Sequence, residues 1–286
     1  MNKRIQKAIY YIESHLDDEL DITLLANISS YSPFHFCRVF KLQMGESVMS
    51  YTTRLRLETA SINVGFGNSS VTNIALDSGF QTSSGFLKAF KKHFGVTPTA
   101  YKRRSKQAIK QYQEINMEAS EIISREKAFV VFSRERGGYF QSSDIAWERL
   151  SNALNSLGAK YKDVPACTEI ELDIKKAEMI GICHDDPKVT DEDKVRYDAC
   201  IAWRAPEIEF LNAEGFETKT IAAGKYVKTL HKGSYESSEN SWYGLYAWIE
   251  QKGLTLRDEP SFEKYLNTPE EVKEAALLTE IYVPIT

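Results

Sequence analysis

Residues 32–51 read Ser32-Pro33-Phe34-His35-Phe36-Cys37-Arg38-Val39-Phe40-Lys41-Leu42-Gln43-Met44-Gly45-Glu46-Ser47-Val48-Met49-Ser50-Tyr51. The same skeleton returns 50 residues later, where Phe36, Phe40, Lys41, Gly45 and Tyr51 reappear as Phe86, Phe90, Lys91, Gly95 and Tyr101. A repeat of this period marks a duplicated supersecondary unit. Two aromatics four apart with a basic residue between them describe a short helix, apolar on one side and positive on the other. Ser32 stands at the N-cap position and Pro33 at the first helical position, a strong start signal.

Upstream, Ile5, Ala8, Ile9, Ile12 and Leu16 recur at helical spacing, and Asp21 to Ala26 forms a second short helix before the turn Asn27-Ile28-Ser29-Ser30-Tyr31. Helix, short turn and helix make the helix-turn-helix arrangement, whose second helix enters a major groove. In the second copy Thr72-Asn73-Ile74-Ala75 answers Thr23-Leu24-Leu25-Ala26, the turn is one residue longer, and Thr82 or Ser83 caps the second helix. Tyr51 to Ile62 is read as a connecting helix. Two reading helices on one connector would meet successive major grooves about 34 Å apart. Gly85 inside the second reading helix costs about 1 kcal/mol of propensity. With Gly65 and Gly67 at the end of the connector, the second unit is expected to be the less rigid of the two.

The net charge of −4 hides a division. Residues 1–110 hold 15 Lys/Arg against 8 Asp/Glu, a balance of +7, and residues 111–286 hold 21 against 32, a balance of −11. The basic part suits a polyanion such as DNA. Hydrophobic content of 42% and charged content of 27% are ordinary for a soluble protein. No apolar run is long enough for a membrane helix, and the N-terminal residues lack the apolar core of a signal peptide. Cys37, Cys167, Cys183 and Cys200 show no metal or CxxC spacing, so reduced thiols and a cytoplasmic location are expected, with no metal and no cofactor.

Residues 1–103 resemble the DNA-binding domain of the AraC/XylS family of bacterial transcription regulators. The resemblance rests on Leu25-Ala26, Phe36-x-x-x-Phe40-Lys41, Gly45, Arg54-Leu55-Arg56-Leu57, Ile74-Ala75, Gly79-Phe80, Phe86-x-x-x-Phe90-Lys91 and Gly95-Val96-Thr97-Pro98-x-x-Tyr101. It implies double-stranded DNA as a partner, with base contacts from Phe34, Cys37 and Arg38 in the first copy and Ser83, Ser84 and Lys88 in the second. Lys41, Lys91 and Lys92 are expected on phosphates, which position without specifying. RNA polymerase is a further implied partner.

The domain boundaries are read as 1–108 for the DNA reader, 109–121 for a polar linker and 122–286 for a second, α+β domain. Two β-α-β-β units are legible there. Strands at 128–132 and 224–230 each lead through a Gly/Tyr turn, Gly137-Gly138-Tyr139 or Gly233-Ser234-Tyr235, into a serine-capped helix ending at Gly158 or Gly253. Strands at 179–182 and 198–201 follow the first helix, and strands at 262–266 and 278–283 the second. The fold class is thus an all-α double helix-turn-helix domain followed by duplicated β-α-β-β units.

That doublet resembles the GyrI-like effector-binding domain through His184-Asp185-Asp186-Pro187, Arg196 to Cys200, His231 to Tyr235 and Thr279 to Pro284. An AraC-type reader ahead of such a domain is the arrangement of Rob-like regulators, and implies a small effector that is often cationic and aromatic. Asp198 and Glu280 occupy matching places inside apolar strands, where an unpaired carboxylate is expensive. With Tyr139, Trp203, Tyr235, Trp242 and Tyr265 they would form an acid-floored aromatic pocket for a lipophilic cation. Alternatively Asp198 pairs with Arg196 or Arg204, and the aromatics are core. His184 and His231 read as strand-end residues rather than metal ligands, and no catalytic motif occurs. The competing function is a hydrolase of reactive small molecules, with Glu280 as base; a third reading is a domain that contacts only a partner protein.

Overall fold

The computed structural model describes residues 2–110, 112, 120–161 and 177–286, with the side chain of residue 161 left aside. The chain divides into two compact units, Met1–Gln107 and Ala108–Thr286. Among the described residues no helix is long and apolar enough to cross a membrane.

The first unit is helical: α1 (Lys3–Ser14), α2 (Ile22–Ile28), α3 (Pro33–Met44), α4 (Val48–Phe66), α5 (Val71–Asp77), α6 (Ser83–Phe94) and α7 (Pro98–Lys110), which runs on past the division. The repeat is α2–α3 and α5–α6. Ser32 caps α3 and Thr82 caps α6, each accepting from a backbone N–H three residues on, and Gly45 and Gly95 close both helices in the left-handed conformation. The helix-turn-helix turns need a positive φ, supplied by Ser30 in the first copy and Gly79 in the second.

The long helix α4 serves both copies. Its Val48, Tyr51 and Leu55 complete a core with Phe36 and Phe40, whereas Leu57, Ala60 and Val64 complete another with Phe86 and Phe90. Arg56 fixes the junction, because its guanidinium donates to the carbonyls of Leu16 at 2.6 Å, Asp18 at 2.6 Å and Gly79 at 2.8 Å. Arg54, also on α4, is buried between Glu46 at 2.7 Å and Glu58 at 2.9 Å. Two of the glycines behind the expected looseness of the second copy have defined places in the packing. A Cβ on Gly65 would press on Ser105 and Tyr101 of α7, so this glycine permits close helix contact. Gly85 lies in the first turn of α6, where its N–H is bonded to Thr82 Oγ1 at 3.1 Å.

The second unit contains β1 (Glu121–Arg125), β2 (Ala128–Arg136), α8 (Tyr139–Tyr161), β3 (Glu178–Cys183), β4 (Arg196–Trp203), α9 (Ala205–Ala213), β5 (Thr218–Ile221), β6 (Gly224–Lys232), α10 (Glu239–Gln251), β7 (Phe262–Tyr265) and β8 (Leu278–Ile285). The strands form one antiparallel sheet in the order β1-β6-β8-β7-β3-β4-β2-β5. The repeats β2-α8-β3-β4 and β6-α10-β7-β8 meet at β3 and β7. Each leading strand is exchanged, since β1 pairs with β6 and β5 with β2. Helix α8 runs past Gly158, which is therefore interior to it, and packs its Leu150, Leu154 and Leu157 on Val131, Tyr197, Ala199 and Ile201. Gly253 follows α10 with a φ of +66°. The serine cap expected on α10 belongs to the 3-10 turn before it, where Ser234 Oγ accepts from Ser237 N, and Ser238 makes no side-chain cap bond.

Candidate functional site

On α3, Phe34, Arg38 and Lys41 stand at helical positions i, i+4 and i+7 on the open side of the helix. Phe34 is 75% exposed and the Arg38 guanidinium lies over its ring, 5.8 Å from the centroid. Cys37 is half-buried against the first core. On α6, Ser84, Lys88, Lys91 and Lys92 are exposed and Ser83 is half-buried. Leu87, 42% exposed, occupies in α6 the place of Cys37 and joins the open face, although no motif singled it out. The basic end of α6, with Lys91, Lys92 and His93, also suits the negative end of the helix dipole. Each helix thus presents one cation flanked by uncharged side chains, with further cations at the rim.

The second unit holds a different constellation. Side chains alternate between the faces of a strand, so Glu263 and Tyr265 of β7 share one face. Register places Glu263 beside Gly181 and Ile281, and Gly181 beside Ala199, which puts Tyr197 on that face as well. Glu263 is 5% exposed. Its Oε2 accepts from the hydroxyls of Tyr139 at 3.1 Å and Tyr265 at 2.9 Å, and its Oε1 from Trp242 Nε1 at 2.9 Å. The ring of Tyr235 stands 5.4 Å from that of Tyr265, and Trp147 5.9 Å from it on another side. Among the described residues no Lys, Arg or His pairs with this carboxylate. Burial, reinforced by the charge of Glu263, holds the phenols of Tyr139 and Tyr265 well above the usual tyrosine range, so both remain donors.

The carboxylates singled out in the sequence are placed elsewhere. Asp198 and Glu280 do occupy matching positions, each the third residue of its strand, but both point to the opposite face of the sheet from Glu263. Asp198 is fully buried and bound by Arg134 at 2.5 and 2.6 Å, by Lys219, and by His184 Nε2 at 2.7 Å. Burial alone would raise its pKa, but these cations hold it well below the usual carboxylate range. Its partner is neither Arg196 nor Arg204: Arg196 clasps Asp185 at 2.6 and 2.8 Å, and Arg204 reaches Glu207. Glu280 meets Lys228 at 2.9 Å and Tyr282 Oη at 2.6 Å, inside a cross-strand row of alternating charge that also holds Glu121, Lys264 and Glu178. A base at Glu280 would therefore face away from the aromatic cluster. Trp203 packs near α8 at the far end of β4, six residues from Tyr197 and so about 20 Å along the strand.

His231 is held in a turn by Ser241 Oγ at 2.9 Å and the Ser234 carbonyl at 2.9 Å. Among the described residues no group of three or more His, Cys, Asp or Glu side chains forms a metal-binding cluster.

A family model described as a GyrI-like small molecule binding domain matches residues 130–286. A second, described as a helix-turn-helix domain, matches residues 25–104. The chain is 35% identical over 116 residues to the uncharacterized HTH-type transcriptional regulator YbfP of Bacillus subtilis, covering 41% of this chain and 39% of that protein. It is 32% identical over 101 residues to the transcriptional regulator Rob of Salmonella typhimurium, covering 35% of each. It thus spans little more than a third of the length of these curated relatives. The solved C-terminal domain of EcmrR is 21% identical, with a TM-score of 0.44 over 58% of this chain and 96% of that domain.

Proposed function

This chain belongs to the GyrI-like small-molecule-binding family and carries an AraC-type helix-turn-helix domain ahead of that fold, and from this premise we propose that it is a DNA-binding transcription regulator controlled by a lipophilic cation. The observation that carries the effector half is Glu263: a buried carboxylate among aromatic rings, supplied with three neutral donors and, among the described residues, no countercharge. Burying such a charge is expensive unless a cation completes it, and aromatic faces attract cations in their own right. Asp198, Glu280 and Trp203 have no part in this reading, whereas Tyr139, Tyr235, Trp242 and Tyr265 do.

The DNA half rests on the duplicated reading helices, each with a cation at the centre of its open face that, among the described residues, pairs with no carboxylate. Arg38 would fork onto a guanine, and Lys88 would supply a less directional charge. The cytoplasm, and contact with RNA polymerase, follow from this role.

Footprinting on a selected duplex tests the proposal as a whole. Protection should span two successive major grooves and weaken with salt, as counterion release requires. Adding benzyltrimethylammonium should change operator affinity by about 5- to 150-fold, the usual range for coupled sites. In Glu263→Gln that change should vanish while the footprint stays. A footprint in one groove only, or a cation response intact in Glu263→Gln, would overturn the reading.

A further inference from the structure

We propose that Trp147 and Tyr197, neither of which hydrogen-bonds to Glu263, are positioning residues for the effector: they lock the Tyr265 hydroxyl as a donor to Glu263 and so orient that carboxylate for a cation. The proposal deepens the reading of Glu263 as the effector's counter-ion and rests on it.

The direction of the hydrogen-bond chain is fixed at both ends. An indole N–H can only donate, and an ionised carboxylate can only accept. Trp147 Nε1 donates to Tyr197 Oη at 3.0 Å. At the other end Tyr265 Oη donates to Glu263 Oε2 at 2.9 Å. Between them the two phenol oxygens are 3.0 Å apart, a geometry that by itself permits either donor. Tyr265 has already committed its single hydrogen to Glu263, so Tyr197 must donate to Tyr265. All the hydrogens therefore run from Trp147 through Tyr197 and Tyr265 towards Glu263. Each bond in such a series polarises the next, which strengthens the last donor.

The backbone makes room for this meeting. Gly181 lies on β3 between Glu263 of β7 and Ala199 of β4. A Cβ there would collide with the hydroxyls of both Tyr197 and Tyr265. Tyr197 itself is 1% exposed and has no role in lining an open surface. Among the described residues, the titratable groups facing Glu263 are the phenols of Tyr139, Tyr197, Tyr235 and Tyr265, and the thiol of Cys183; burial pushes all of them upward. They remain neutral donors, and among the described residues these donors, rather than a cation, hold the carboxylate.

The site should prefer benzyltrimethylammonium to neopentylbenzene, the same shape with carbon in place of the charged nitrogen. Calorimetric titrations of both compounds into the full chain and into Tyr197→Phe, Trp147→Phe and Glu263→Gln test the idea. Tyr197→Phe removes the donor to Tyr265 and should cut cation affinity by about tenfold, the scale of one hydrogen bond to a charged group. Trp147→Phe should cut it by less, and neopentylbenzene should bind both variants as it binds the parent. If Glu263→Gln abolishes the preference for the cation while neither aromatic variant lowers it, the positioning role is overturned and the effector site stands. Equal loss of cation and isostere would mark Tyr197 as packing only and would also overturn it. A cation preference intact in Glu263→Gln would overturn both.

Discussion

Asp198 and Glu263 are buried carboxylates on strands of the same sheet, separated only by β3, and they face opposite ways. Asp198 is met by Arg134, Lys219 and His184. Glu263 is met by two phenols and an indole. The first charge is balanced within the fold, and the second is solvated by dipoles but, among the described residues, left without a countercharge. A buried ion whose partner is built in is part of the structure, whereas one supplied only with neutral donors has room for a partner from outside. The DNA reader repeats the contrast. Arg54 is buried between two glutamates, while Arg38 is exposed over Phe34 and, among the described residues, pairs with no carboxylate.

The contrast predicts a ranked set of effects. Asp198→Ala removes the buried carboxylate that Arg134, Lys219 and His184 share and should cost about 3–5 kcal/mol of stability in urea unfolding. Arg54→Ala, which strands Glu46 and Glu58, should cost a similar amount, about 3–5 kcal/mol. Glu263→Gln should change stability by less than about 1 kcal/mol, because the carboxamide oxygen still accepts from the phenols. A loss as large as that of Asp198→Ala would break the distinction.

Next in size is a pH effect on the Asp198 side. Burial, with Arg134 and Lys219 nearby, outweighs Asp198 and lowers His184 to about 4, below its ordinary 6.5. The unfolded chain thus binds a proton that the folded chain refuses. This contribution to stability is complete above about pH 6.5 and is lost as the pH falls towards 4. It amounts to roughly 3 kcal/mol at 1.36 kcal/mol per unit. His184→Gln should flatten the unfolding free energy over that window, and an unchanged slope would show that the histidine is not the group titrating.

Much of this was legible in the sequence, for identifiable reasons. The period of 50 residues, the Ser32-Pro33 start and the aromatic pairs Phe36/Phe40 and Phe86/Phe90 are local signals, and they produced α3 and α6 as expected. The signals for β2, β3, β4, β6, β7 and β8 were equally local, whereas β1 and β5, short and partly exposed, carry no such apolar run and were not expected. The countercharges were not local, because they arrive from strands distant in sequence. Arg134 lies 64 residues from Asp198, and Lys228 lies 52 from Glu280. Only the sheet register brings them together. Glu263 did carry a readable sign, since it stands two residues before Tyr265 in Phe262-Glu263-Lys264-Tyr265 and so must share its face. Gly65 is a contact glycine only because Ser105 and Tyr101 of α7, well downstream, lie against it, and no local pattern encodes that.

In the reader, Arg38→Ala should cost about 1–3 kcal/mol of operator affinity and relax preference at one base pair. Its melting temperature should stay that of the parent, in contrast to Arg54→Ala. Smallest of all, Glu280→Gln should alter stability by about 0–1 kcal/mol, as partly exposed ion pairs do. It should leave cation affinity unchanged, and a loss of cation binding here would return the site to the other face of the sheet.

The central claim is that Glu263 is a charge awaiting a countercharge. Calorimetric titration of benzyltrimethylammonium and neopentylbenzene into the parent protein and Glu263→Gln at neutral pH tests it most directly. The parent should prefer the cation, and Glu263→Gln should lose about tenfold or more of cation affinity, at least 1.4 kcal/mol, while binding neopentylbenzene as before. Equal affinity of the parent for the two compounds, or an undiminished cation affinity in Glu263→Gln, would contradict it.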